Sequence, residues 1–125
     1  MEEHIAVQLV DSKGSIRIQV FAGTAIGKEL YVRGLDTGDL PTSQVWGSDV
    51  QYWITVPNEE KGNMVAVLLA VLQEEGRQFS VDPNVSEEEN LLRLLYFVYQ
   101  GRRSTFDEFK ALVEKKNIEH SFWWG

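Results

Sequence analysis

Val50-Gln51-Tyr52-Trp53-Ile54-Thr55-Val56-Pro57 decides the fold of this chain. Val50, Tyr52, Ile54 and Val56 recur at every second position, so they share one face of a β-strand and leave Gln51, Trp53 and Thr55 on the other. Pro57 has no N–H to give to a ladder, and the strand ends there. Upstream the same period of two returns. Ile5, Val7 and Leu9 alternate with polar or small residues, Ser12-Lys13-Gly14-Ser15 breaks the pattern, and Ile16, Ile18 and Val20 resume it around Arg17 and Gln19. That is a β-hairpin pattern. Gly23 to Gly27 reads as a loop. Leu30 and Val32, alternating with Tyr31 and Arg33, predict a short third strand that stops at Gly34, with a turn-rich segment from Gly34 to Asp49.

Downstream of Pro57 the period changes to that of a helix. Met64, Leu68, Val71 and Leu72 line one side of a helix over 58–75, and Gly76 fits the left-handed position just past its end. A second helix starts at Ser86, whose hydroxyl can accept from the N–H of Glu89, while Glu87 to Glu89 suit the positive end of the dipole. Leu91, Leu92, Leu94, Leu95, Phe97 and Val98 cover more than one stripe before Gly101, so this helix is expected to be the most buried element. A third begins at Ser104 or Thr105, with Thr105-x-x-Glu108 as a capping box, and carries Phe106, Phe109, Leu112 and Val113 on one side. Asn117 is its stop.

The remaining segment, Ile118 to Gly125, ends in Phe122, Trp123 and Trp124. A terminus this apolar is expected to be buried, as a closing strand in the core or as an aromatic patch held for a partner. Its alternation sets Ile118, His120, Phe122 and Trp124 on one face and Trp123 on the other. The sum is a single α+β domain over 1–125: a mainly antiparallel sheet of about five strands with about three helices packed on one face. The strands are an N-terminal hairpin, two middle strands and the C-terminal strand.

Composition narrows the function classes. The chain has 125 residues, 43% of them hydrophobic, and no Cys, so disulfides, thiolate metal sites and cysteine nucleophiles are out. A reducing cytoplasm is the expected compartment. Met1-Glu2-Glu3-His4 lacks the basic-then-apolar order of a signal peptide, and the longest apolar run, Met64 to Leu72, is too short to span a bilayer. Nineteen acidic residues against 12 basic give a net charge of -7, which repels nucleic acid and anionic lipid and steers basic proteins inward, or simply keeps the protein soluble.

No motif for catalysis or cofactor binding survives inspection. Leu35-Asp36-Thr37-Gly38-Asp39 matches the Asp-Thr-Gly of aspartic proteases over three residues only, and the charge of Asp39 would spoil a carboxylate pair that must share a proton. Asp36, Asp39 and Asp49 are the candidates for a hard cation, but their spacing matches no EF-hand and turn chemistry explains Asp and Gly there more cheaply. The two histidines, His4 and His120, make a poor metal or base constellation, with His120 expected on a strand beside aromatics. No phosphate-cradling glycine motif is present, and Arg102, Arg103, Lys115 and Lys116 suit helix C-termini without any nucleic acid. No cofactor, metal or catalytic residue is therefore expected.

The tryptophans are the sharper candidates, because Trp serves cores and interface anchors alike. Trp53 reads as packed. Trp46 lies in an acidic loop, where it either covers the sheet edge or joins Asp36, Asp39 and Asp49 in a partner site, and Trp123 extends that candidate set.

The order of Glu29-Leu30-Tyr31-Val32, Gly34-Leu35-Asp36-Thr37-Gly38, Trp46-Gly47-Ser48-Asp49, Tyr52-Trp53-Ile54-Thr55-Val56 and the Ile118-to-Trp124 finish resembles a class of small bacterial proteins, some of which look like immunity proteins. These neutralise toxin domains used between neighbouring cells, including those of contact-dependent growth inhibition. The resemblance implies a non-enzymatic protein, monomeric or weakly dimeric, that binds a cognate toxin, with an acidic surface suited to the basic cleft of a nuclease. The alternative is a small-ligand or regulatory module with a pocket between sheet and helices.

Overall fold

The computed structural model describes residues 4–14, 16–38 and 49–124. Five strands form one antiparallel sheet in chain order: β1 (His4–Ser12), β2 (Ile16–Ala25), β3 (Leu30–Gly38), β4 (Asp49–Val56) and β5 (Ser121–Trp124). A 3-10 turn (Asn58–Glu60) and three helices, α1 (Lys61–Glu74), α2 (Glu87–Tyr99) and α3 (Thr105–Lys115), lie between β4 and β5 in the chain. This is the expected α+β architecture. Among the described residues no helix is long and apolar enough to cross a membrane.

The alternating positions of the strands build the core. Val20, Ala22, Leu30, Val32, Ile54 and Val56 are fully buried on the helix-facing side, against Met64, Leu68, Leu91, Leu95 and Val113. Burying each Val, Leu, Ile or Met among them stabilises by about 1.5–3 kcal/mol. In β1 a bulge between Gln8 and Val10 lets consecutive residues, Leu9 and Val10, both reach the interior. As expected, α2 has the most buried residues of the helices.

The helix ends follow local chemistry. Ser86 Oγ accepts from Glu89 N–H at 3.1 Å, as its position predicts. Gly76, at φ 69°, closes α1 in a Schellman motif, with Arg77 N–H donating to Leu72 O at 2.8 Å. Asn117, at φ 56°, does the same for α3, with Ile118 N–H on Val113 O at 3.0 Å. The Thr105 capping box does not form. Ser104 is the N-cap, and Thr105, buried in the first turn, donates its hydroxyl instead to Tyr99 O at 2.8 Å.

Three expectations about strand limits change. β3 does not stop at Gly34 but runs to Gly38, and β2 continues through Gly23 to Ala25. Each glycine is a mid-strand position opposite a tyrosine, Gly34 against Tyr52 and Gly23 against Tyr31, whose ring takes the space of a Cβ. Asp36-Thr37-Gly38 is accordingly strand and not turn. The tail pairs with β4 only from Ser121, because Ile118 is drawn into the core by the α3 closure before pairing begins.

Candidate functional site

Among the described residues the helices and the buried core lie on one face of the sheet, and no helix covers the other. On the open face the register aligns Phe21 with Arg33, Arg33 with Trp53 and Trp53 with Trp123, one row across four strands. Trp53 and Trp123 stack, their ring centroids 4.1 Å apart and planes 13° from parallel. The Arg33 guanidinium lies 5.3 Å from the Trp53 ring centroid, and its Nη2 donates to Gln51 Oε1 at 3.2 Å. Arg33 Nε is buried with no hydrogen-bond partner among the described residues. Tyr31 flanks the row, stacked on His4 with its hydroxyl 3.0 Å from His4 Nε2. Burial raises the Tyr31 pKa, with Arg33 pulling the other way.

Tyr31, Arg33, Trp53, Thr55, Trp123 and Glu29 together line a shallow hollow of about 360 Å³. Trp123 is 51% exposed there. The row is flat, aromatic and carries one guanidinium, which suits packing against another protein more than enclosing a small molecule.

The aromatic terminus is less buried than its composition predicts. Phe122, Trp123 and Trp124 are 41%, 51% and 69% exposed, because β5 is an outer strand with a neighbour on one side only. Phe122 still meets the Phe106 ring at 6.0 Å and has Lys110 Nζ 4.9 Å from its own centroid. His120 precedes the strand and donates from Nδ1 to Ile118 O at 2.7 Å.

The candidate residues from the sequence are not brought together. Asp36 lies on the helix side, where its carboxylate accepts the Tyr52 hydroxyl, whereas Trp123 stands on the opposite face. Asp49 begins β4 opposite Thr37, and Asp39 and Trp46 fall outside the described residues. Asp36 does share a cleft of about 470 Å³ with Tyr52, Phe106, Asp107, Phe122 and Trp124. Burial, then Asp36, then Asp107 raise the Tyr52 pKa. Among the described residues no three His, Asp or Glu side chains are grouped to hold a metal ion. Trp53 is packed as expected, between Arg33 and Trp123.

Arg102 and Arg103 act as local ties. Arg102 Nη1 pairs with Glu108 at 2.9 Å, and Arg103 donates to Ser12 Oγ at 2.9 Å and Ile16 O at 3.2 Å, fastening the α2–α3 connection to the β1–β2 hairpin. Tyr31 and Arg33 are the site residues the sequence did not single out. Their alternation with Leu30 and Val32 is the signal, but joining them to Trp53 needs the β3–β4 register. No family model, curated protein or solved structure matches the chain.

Proposed function

We propose that this chain is a non-catalytic binding protein of the immunity type, which neutralises a bacterial toxin domain by docking on it through the open sheet face. The observation that carries the reading is the Trp53–Trp123 stack beside Arg33, with Trp123 half exposed. Trp, Tyr and Arg are the residues that dominate interface energetics, and a sheet holds them in place at little entropic cost. The guanidinium, stacked on Trp53 and tethered to Gln51, keeps donors available to a partner's carboxylate or carbonyl.

The acidic charge supports steering. Glu88 is paired with Lys61 at 3.3 Å, so the attraction rests on the net charge of -7 carried by the whole chain. A cationic toxin would be attracted by that net charge at long range and held by short-range packing on the aromatic row.

The test is protection of bacteria that express a toxin domain encoded beside this gene. Wild-type protein is expected to restore growth and co-purify with the toxin. Arg33→Ala with Trp123→Ala is expected to abolish both while leaving the thermal transition nearly in place, since hot-spot truncations cost about 2 kcal/mol or more of binding each. Undiminished protection by that double variant would overturn the assignment of the face.

A further inference from the structure

A cleft of about 540 Å³ between β1 and α2 plays no part in that proposal, and it lies at the sheet edge farthest from Trp123. Ile5, Val7, Phe79, Leu92, Tyr96 and Phe97 form its apolar wall, and Tyr96 is 42% exposed. β1 is both part of this wall and an outer strand of the sheet. Its stretch His4-Ile5-Ala6-Val7-Gln8-Leu9-Val10 contains no Lys, Arg, Asp, Glu or Pro, the residues that keep sheet edges from pairing. The opposite edge, β5, is guarded by being only four residues long. Gly101 N–H donates to Leu9 O at 3.0 Å and closes one end of the β1 edge, and among the described residues no further loop or helix backbone bonds to His4 to Gln8.

We infer that this edge and cleft take a second copy of the chain, β1 pairing antiparallel with the other β1 about a two-fold axis at Ala6. In that register Ile5 of each copy stands opposite Val7 of the other, on the side that lines the cleft. The same axis sets the two α2 helices antiparallel. Glu89 and Arg93 lie one helical turn apart on the cleft rim, so each Arg93 is brought toward the other copy's Glu89. That is the self-complementary charge an isologous interface requires. Arg93 is already held on the rim by Asn90 Oδ1 at 3.2 Å and by the Phe79 ring, with its guanidinium 5.5 Å from the centroid. Edge-to-edge pairing also opposes no like charges within the ladder, although each chain carries -7 overall.

Sedimentation velocity on the full chain over a wide concentration series tests the inference. The wild type is expected to pass from monomer to dimer. Ala6→Lys, which sets two lysines opposite each other at the axis, is expected to weaken the dimer by a factor of ~10 or more. Arg93→Glu and Glu89→Arg are each expected to weaken it similarly, and the exchanged pair Glu89→Arg with Arg93→Glu to restore it. These are surface changes, and circular dichroism checks that each variant stays folded. A monomer at every concentration would overturn the inference, as would a dimer indifferent to Ala6→Lys or to the charge reversals. A chain that stays monomeric but binds an extended Val/Ile-rich peptide, or an apolar dye in the cleft, would assign the site to another occupant and overturn it too.

Discussion

The ring of Tyr52 lies across Gly34, its partner in the β3–β4 register, and fills the space a Cβ on Gly34 would need. The ring is fixed there by an edge-on contact with Phe106 at 4.4 Å and by its hydroxyl on Asp36. Gly34→Ala must therefore move a ring with little freedom to move. Overpacking of this kind costs roughly 1–3 kcal/mol. Urea denaturation is expected to show that loss, and a smaller one for the same change in a Tyr52→Leu background. Equal losses in both backgrounds would mean that the ring is not what excludes the side chain. On the open face Gly23→Ala meets Tyr31 in the same way, but Tyr31 can swing toward solvent, so a milder effect is expected there.

That pairing of glycine with a cross-strand tyrosine also explains where the sequence was readable. Alternation along one strand reports which side chains share a face, and it gave the hairpin, β4 and the α+β class from residues such as Val20, Val32 and Ile54. Gly23 and Gly34 looked like breaks because their cover comes from another strand, which spacing along one segment cannot reveal. The same limit applies to the site. Arg33, Trp53 and Trp123 lie far apart in sequence and become one row only through two registers, whereas Asp36 and Trp123, grouped by composition, end on opposite faces. The capping box failed for a related reason, since the buried Tyr99 carbonyl takes the Thr105 hydroxyl that local chemistry would have spent on the helix end.

Lys61 is only 3% exposed and shares its ammonium between Ala25 O at 3.0 Å and Glu88 Oε2 at 3.3 Å. Removing one member of a buried pair leaves the other charge desolvated and uncompensated. Glu88→Ala is expected to cost about 3 kcal/mol or more, while Lys61→Met with Glu88→Leu is expected to recover most of that loss. Chemical denaturation of the three proteins checks this. A single variant no less stable than the double would show that the pair is screened by water.

The tail makes a graded prediction. Ile118 is 5% exposed in the core, while Trp124 is 69% exposed at the sheet edge. Ile118→Ala is expected to cost about 2–4 kcal/mol, and Trp124→Ala well under that. Removing residues 122–125 is expected to leave a folded protein of reduced stability that has lost the Trp123 half of the aromatic stack. Thermal melts give the ranking. Unfolding on removal of those four residues alone would show that β5 is needed for the core and not only for the face.

Alkaline pH offers the last check, because burial raises the pKa of Tyr52 and Tyr99, as it does that of Tyr31. Burial raises the Tyr52 pKa above its ordinary 10.0, with Asp36 and Asp107 adding to it, and burial raises that of Tyr99, with Glu108 and Glu75 adding and Arg102 opposing. The folded chain thus keeps phenolic protons at a pH where the unfolded chain releases them. Linkage then fixes the sign: this stability is complete below about pH 10, the unfolded value, and drains away as the pH climbs toward the folded values. Tyr52→Phe is expected to be less stable than wild type near neutral pH by about 1 kcal/mol, having lost the hydroxyl bond to Asp36. Above pH 10 its stability should fall less steeply, so that the two curves converge, and Tyr99→Phe should flatten in the same window. Urea titrations from neutral to strongly alkaline pH measure both slopes. Parallel curves for wild type and the two variants would mean that neither phenol is coupled to folding.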